Sequence, residues 1–140
     1  MNKNGHIIII EDDPDDQFLM EEAFRTIECS NERVYFHDGL SVLEYFNSSN
    51  SVPFLILSDI NMPKLNGFEL REELNNYVRL KLEYIPFLFF TTSTNEQAVH
   101  DAYSTLAQGF FVKADQFSEL QQILKLIVTY WKKCIVPNSI

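Results

Sequence analysis

Hydrophobic runs of four or five residues alternate along this chain with longer stretches in which apolar positions recur every three or four residues. A short apolar run without polar alternation reads as a strand buried on both faces, and a stretch of period 3.6 reads as an amphipathic helix. The first run, His6 to Ile10, holds four consecutive isoleucines and ends in acids. Asp13-Pro14 follows, a favoured N-cap before a residue suited to the first helical position. That predicts a helix carrying Leu19, Ala23 and Ile27 on one face and stopping near Ser30-Asn31. Val34 to His37 reads as a second strand, Asp38-Gly39 as a turn, and Val42, Leu43 and Phe46 as the apolar face of a short helix. A third strand, Phe54 to Leu57, ends at Ser58-Asp59, and a loop over Ile60 to Asn66 leads to Gly67 and a helix bearing Phe68, Leu70 and Leu74.

Tyr77 to Tyr84 is open between an extension of that helix and an irregular connection. Pro86 introduces a fourth strand, Phe87 to Phe90, which ends in Thr91-Thr92-Ser93. Thr94 to Gln97 fits a capping box, so a helix is expected from there to about Leu106. Phe110 to Val112 is the fifth strand and ends in Lys113. The last helix is expected from about Gln116 to Lys133, with a core stripe of Leu120, Leu124, Ile127 and Trp131 and a second apolar stripe of Ile123, Leu126 and Tyr130. That second stripe is either a wider core face or a dimer or partner surface. Strict alternation of strand and helix, joined by right-handed crossovers, gives an α/β fold with a doubly wound parallel sheet of five strands. Ligands of such sheets bind at the carboxyl ends of the strands.

Composition narrows the setting without changing the fold. At 140 residues and 46% hydrophobic the chain suits one domain, with a core over about residues 5–133 and a short tail from 134 to 140. A net charge of −9 repels phosphate backbones and anionic lipid, so no direct nucleic-acid or membrane binding is expected. No apolar run approaches the length of a membrane helix, no signal-peptide core precedes the acids, and Cys29 and Cys134 match no metal or redox spacing. A cytoplasmic protein with reduced thiols is the expectation. His6, His37 and His100 read as scattered surface or edge histidines.

The chemistry lies in what each buried strand ends with. The first ends in Glu11-Asp12-Asp13, the third in Asp59, the fourth in Thr91-Thr92-Ser93 and the fifth in Lys113, all on one edge of the sheet. Taken singly, these are ordinary: an acid after a strand is often a helix cap, a lone Lys a surface charge, a lone Thr a turn residue. Together they are complementary. Clustered carboxylates repel one another and need a counter-charge. Oxygen ligands without His or Cys point to a hard cation such as Mg2+. A carboxylate beside a divalent cation, an ammonium and a hydroxyl suits phosphoryl transfer to the carboxylate, here Asp59.

These strings (Ile-Glu-Asp-Asp-Pro at 10–14, Ser-Asp-Ile-Asn-Met-Pro at 58–63 with Gly67, Thr-Thr-Ser at 91–93 and Phe-Phe-Val-Lys at 110–113) resemble the receiver domain of two-component response regulators. The resemblance spans about Gly5 to Lys133 and implies a flavodoxin-like (βα)5 sheet of strand order 2-1-3-4-5. It implies that Asp59 is the phosphoacceptor, that Asp12 binds Mg2+ directly and Glu11 through water, and that Asn61 offers its backbone carbonyl to the metal. Lys113 would contact the phosphoryl oxygens, Thr91 would be the switch hydroxyl, and Phe110 would be the aromatic switch residue. The donor would be a histidine kinase or histidine phosphotransfer protein. The output would be a changed surface over the fourth helix, fifth strand and last helix, offered to a downstream protein or to a second copy of the chain.

With only residues 134–140 after the last helix, no output domain is expected, so the chain is similar to stand-alone receivers, and its Tyr130-Trp131 ending to the small regulators of phytochrome-type kinases. Three positions depart from the family pattern. Phe110 lacks the hydroxyl of the usual Tyr, Ala114 replaces a Pro that follows the lysine through a cis bond, and Glu11 stands where Asp is common. Three other readings are a pseudo-receiver without the chemistry, an aspartyl-phosphate phosphatase and a flavin-binding protein. The intact acids, Thr91 and Lys113 count against the first. Asn61 stands where the second wants an Asp, and the acids after the first strand stand where the third wants a phosphate-cradling loop.

Overall fold

The four isoleucines form β1, Ile7–Ile10, and none is more than 2% exposed. Burying such side chains on both faces of one strand stabilises the chain by about 1.5–3 kcal/mol each relative to leaving them in water, so the run becomes an interior strand of the sheet. The computed structural model describes residues 2–77, 81–92 and 95–135. Around β1 stand α1 (Pro14–Thr26), β2 (Arg33–Phe36), α2 (Gly39–Ser48), β3 (Leu55–Ser58), α3 (Gly67–Asn75), β4 (Phe87–Thr91), α4 (Glu96–Ser104), β5 (Gly109–Val112) and α5 (Phe117–Lys133). The strands pair in parallel in the order β2-β1-β3-β4-β5, which is the expected doubly wound (βα)5 sheet. β3 and β4 are as fully buried as β1, while β2 is half-buried throughout.

The boundaries shift where backbone geometry outweighs side-chain pattern. β2 and β3 are displaced by one residue from their predicted spans because the register sets their ends: Ile7 pairs with both Arg33 and Leu55, and Ile10 with both Phe36 and Ser58. α1 stops at Thr26, short of Ser30-Asn31, because Glu28 adopts a left-handed φ of 59°. The N–H of Cys29 then donates to Phe24 O and that of Glu28 to Arg25 O, a closure in which the last carbonyls are satisfied by the residues beyond. α4 is capped by Asn95, whose side chain accepts from Ala98 N at 2.8 Å; Thr94, where the capping box was expected to begin, lies outside the described residues. It ends at Ser104, two residues early, as Leu106 takes a φ of 68°. α3 opens with a reciprocal capping box, Asn66 with Glu69. It ends at Asn75, and Leu82–Tyr84 forms one 3-10 turn, so the described part of the open segment is a connection and not more helix; residues 78–80 lie outside the description.

On α5, Leu120, Leu124 and Ile127 are buried and Trp131 packs half-buried against the core. Of the second stripe, Ile123 is half-buried, but Leu126 is 70% and Tyr130 62% exposed, so it is not a wider core face. One buried polar group stands apart from the strand ends. Arg71 of α3, 1% exposed, lies over the Phe87 ring at 5.3 Å and donates to Thr105 O and Leu106 O just past α4. Burial brings its pKa down to about 10. The positive charge meets the carbonyl end of α4, where a helix favours cations.

Candidate functional site

The register that aligns β1 with β3 puts Glu11 and Asp59 side by side, each the first residue beyond a paired Ile10 and Ser58. The Asp59 N–H donates to Ile10 O at 3.0 Å and the Glu11 N–H to Phe36 O at 3.0 Å, so both backbones continue the ladder. Their side chains therefore have little freedom: Glu11 is 5% and Asp59 9% exposed. Asp12 is exposed. Glu11, Asp12 and Asp59 each bring one oxygen into a group whose members lie within 4.8 Å of one another.

Asp59 is held at both oxygens. Oδ1 accepts from the Ile60 N–H at 2.7 Å and Oδ2 from Lys113 Nζ at 3.3 Å. The Ser58 hydroxyl donates to the Asp59 carbonyl at 2.7 Å. Behind that carbonyl sits Gly67, whose N–H reaches Ile60 O at 2.9 Å. A Cβ at Gly67 would stand 2.3 Å from Asp59 O, so the close return of the loop, and not a positive φ, is what needs glycine there.

Lys113 arrives from the far side of the sheet. β4 pairs with β5 through Thr91 and Val112, and the Lys113 N–H extends that ladder to Thr91 O at 2.9 Å. Its ammonium donates to Glu11 Oε2 at 2.9 Å, Asp16 Oδ2 at 3.0 Å and Asp59 Oδ2 at 3.3 Å. Asp16 was not among the residues singled out from the sequence. The only available signal was an acid in the first turn of α1, which reads as a helix-dipole residue, and nothing in spacing links it to position 113.

Three carboxylates around one ammonium leave an excess of negative charge, and burial decides who bears it. Desolvation is the largest influence on Glu11 and pushes its pKa up to about 8, against the opposing pull of Lys113. Burial acts the other way on Lys113, but hydrogen bonds to Glu11 and Asp16 outweigh it and raise its pKa. The two directions describe one cluster: the ammonium stays protonated, and Glu11, though nearest to it at 2.9 Å, is the carboxyl whose charged form burial most disfavours. A set of carboxylate oxygens, buried at Glu11 and Asp59 and open to solvent at Asp12, without His or Cys and short of positive charge, fits a hard divalent cation.

The other expected residues fall nearby with less detail. Thr91 is fully buried at the end of β4, one residue beyond the level of Asp59. Phe110 lies opposite Phe89 in the β4–β5 ladder and is half-buried against the core. Asn61 is exposed two residues after Asp59. All peptide bonds among the described residues are trans, so Ala114 follows Lys113 without the cis bond that the family pattern carries there. A cavity of about 60 Å3 opens beside Glu11, Asp16, Asp59 and Lys113 and is floored by Leu19, Met20 and Leu120.

Comparison with known proteins agrees with this geometry. The family description "Response regulator receiver domain" matches residues 7–125. The chain is 30% identical over 136 residues to the response regulator Rcp1 of a Synechocystis species, covering 92% of this chain and 90% of Rcp1. Among solved structures it is similar to the phosphorylated cyanobacterial phytochrome response regulator RcpA, with a TM-score of 0.81 and 31% identity over 95% of this chain and 98% of that one. It is also similar to the Mn2+-bound form of Rcp1, with a TM-score of 0.77 and 30% identity over 94% and 97% of the two chains. The resemblance to receivers, the small phytochrome regulators among them, is borne out.

Proposed function

From the premise that this chain belongs to the response regulator receiver family, we propose that Asp59 is its phosphoacceptor and that Glu11 and Asp12, with Asp59 and the carbonyl of Asn61, hold Mg2+ beside it. The observation that carries the reading is the meeting of three carboxylates within 4.8 Å with one ammonium 3.3 Å from Asp59. That Rcp1 has a Mn2+-bound form and RcpA a phosphorylated one supports it.

Asp59 Oδ1 is engaged by the Ile60 N–H, which leaves Oδ2, facing Lys113, as the nucleophile. As the Oδ2–P bond forms, the P–N bond of a phosphohistidine on a sensor kinase or phosphotransfer protein breaks, and the imidazole leaves. Mg2+, when bound, supplies positive charge opposite the phosphoryl oxygens during transfer. Lys113 donates to one of those oxygens and Thr91 to another. The phosphoryl group adds about two negative charges; Thr91 moves toward it, Phe110 follows, and the surface of α4, β5 and α5 changes. Leu126 and Tyr130, exposed on that surface, suit a downstream protein or a second copy of the chain. The chain acts on itself and turns over no external substrate, in keeping with Asn61 where an aspartyl-phosphate phosphatase wants an acid. No described helix is long and apolar enough to cross a membrane, and a cytoplasmic site of action belongs to this proposal.

Intact-protein mass after incubation with Mg2+ and acetyl phosphate tests the acceptor. Wild type is expected to gain one phosphoryl group and Asp59→Asn none. A gain of equal size in Asp59→Asn would remove Asp59 from the role.

A further inference from the structure

The carboxylate of Asp16 is placed unlike an ordinary acid in the first turn of a helix. The cap of α1 is already made by Asp13, which accepts from the Asp15 N–H at 2.9 Å. Asp16 instead reaches out of the helix to Lys113, at 3.0 Å, closer than the phosphoacceptor itself at 3.3 Å. An ammonium has three protons to donate, and Glu11, Asp16 and Asp59 occupy one each. An arriving phosphoryl oxygen can therefore gain Lys113 only if one of these partners gives it up.

Once Oδ2 carries the phosphoryl group, Asp59 passes its own share of Lys113 to that group, and any further contact of the ammonium with the phosphoryl oxygens needs a second partner to yield. The Glu11 side chain is 6% exposed and also accepts from the Asp13 N–H at 3.3 Å, so it cannot turn to water. The Asp16 side chain is 37% exposed and can be hydrated once released. The cavity of about 60 Å3 between α1 and the start of α5 is lined by both Asp16 and Lys113, which leaves room for the ammonium to swing.

Resting on the reading of Asp59 as acceptor, we propose that Asp16 is a positioning residue that holds Lys113 in the unphosphorylated chain and is exchanged for a phosphoryl oxygen on phosphorylation. Asp16 then opposes phosphorylation: it competes for the group that stabilises the product. Because it stands on α1 while Lys113 leads from β5 toward α5, releasing it also frees α1 from the β5–α5 connection.

Two measurements test this. The first needs neither metal nor donor: NMR of the Lys113 ζ-ammonium, a signal protected from solvent exchange in wild type and expected to be lost in Asp16→Asn. The second is the acetyl phosphate concentration that half-phosphorylates the protein at saturating Mg2+. Asp16→Asn is expected to lower it about fivefold, the scale of one half-exposed ion pair, and Asp16→Glu to restore the wild-type value. In a Lys113→Met background the same Asp16→Asn change is expected to matter less than about twofold, since there is no ammonium left to hold. An unchanged ammonium signal in Asp16→Asn overturns the proposal, as does an equal gain with and without Lys113, which would make Asp16 a mere repelling charge. A wild-type chain that takes up no phosphoryl group would count against the acceptor reading, and the ammonium signal would still decide the contact with Asp16.

Discussion

Helix α1 takes part in two ion clusters built in opposite senses. In its middle, Glu21 accepts from Arg33 in a two-pronged pair at 3.0 and 2.7 Å, from the Tyr35 hydroxyl at 3.0 Å and from Arg25 at 3.2 Å. The remaining Arg33 nitrogen donates to the carbonyls of Cys29 and Asn31. Every group has a partner of the right sign, and the hydrogen bonds from Arg33, the largest influence, hold Glu21 below the usual carboxylate pKa. At the first turn of the same helix, one ammonium serves Glu11, Asp16 and Asp59, and Glu11 is pushed up. The first cluster is finished by folding. The second is left short of positive charge, which is the condition for taking up a cation and for performing chemistry.

The predictions that would break or sharpen this contrast run from large effects to small. Glu21→Gln is expected to destabilise the chain by about 1.5–3 kcal/mol, because Arg33 loses its charged acceptor and keeps only the carbonyls of Cys29 and Asn31; urea unfolding measures it, and a loss below about 0.5 kcal/mol would put this pair with ordinary surface substitutions. The same pair sets an acid limit. A carboxyl whose folded pKa lies below its unfolded value of about 4.5 contributes stability above that pH and loses it as the pH falls through the folded value. Stability should therefore drop on acidification below about pH 4.5, and this component of the drop should vanish in Glu21→Gln.

The strand-end cluster should respond to what it lacks. Mg2+ at a hundred times its dissociation constant is expected to stabilise the wild-type chain by about 2.7 kcal/mol, read as a rise in Tm. No rise would mean that the excess charge is not a cation site. Without metal, Glu11→Gln is expected to stabilise by about 0.5–1 kcal/mol above about pH 8, where the wild-type Glu11 ionises and becomes one of three mutually repelling carboxylates, and to change little once the pH has fallen to the ordinary carboxylate range. A loss of similar size would mean that the site is as well balanced as the Glu21 cluster. The smallest effect belongs to Arg25, 66% exposed and paired with Glu21 and Glu22. Arg25→Ala is expected to change stability by less than about 0.5 kcal/mol, so that Arg33 alone accounts for the strength of the first cluster.

The pattern of residues by itself determined the elements and their alternation. Isoleucine and phenylalanine runs with no polar face can only be central parallel strands, and such strands deliver their terminal residues to one edge. Glu11, Asp59, Thr91 and Lys113 were legible for that reason, since each stands at or next to the end of an apolar run, although β5 before Lys113 is buried only at Gly109. The sequence could not supply contacts made by backbone or across elements. The Ile60 N–H on Asp59 has no side-chain signature, and the closeness of Gly67 to the Asp59 carbonyl appears only when the loop folds back. Nothing in the local pattern marks Arg71, yet it is buried over the Phe87 ring and against the end of α4. Asp16 is the same lesson at the site itself. Local rules assign it to the helix dipole, and only the crossover that brings β5 beside β4 carries Lys113 within 3.0 Å of it. Local propensity acts over a turn or a strand, whereas the sharing of one ammonium by three acids depends on positions 54, 97 and 102 residues apart in the chain, separations closed only by the tertiary fold.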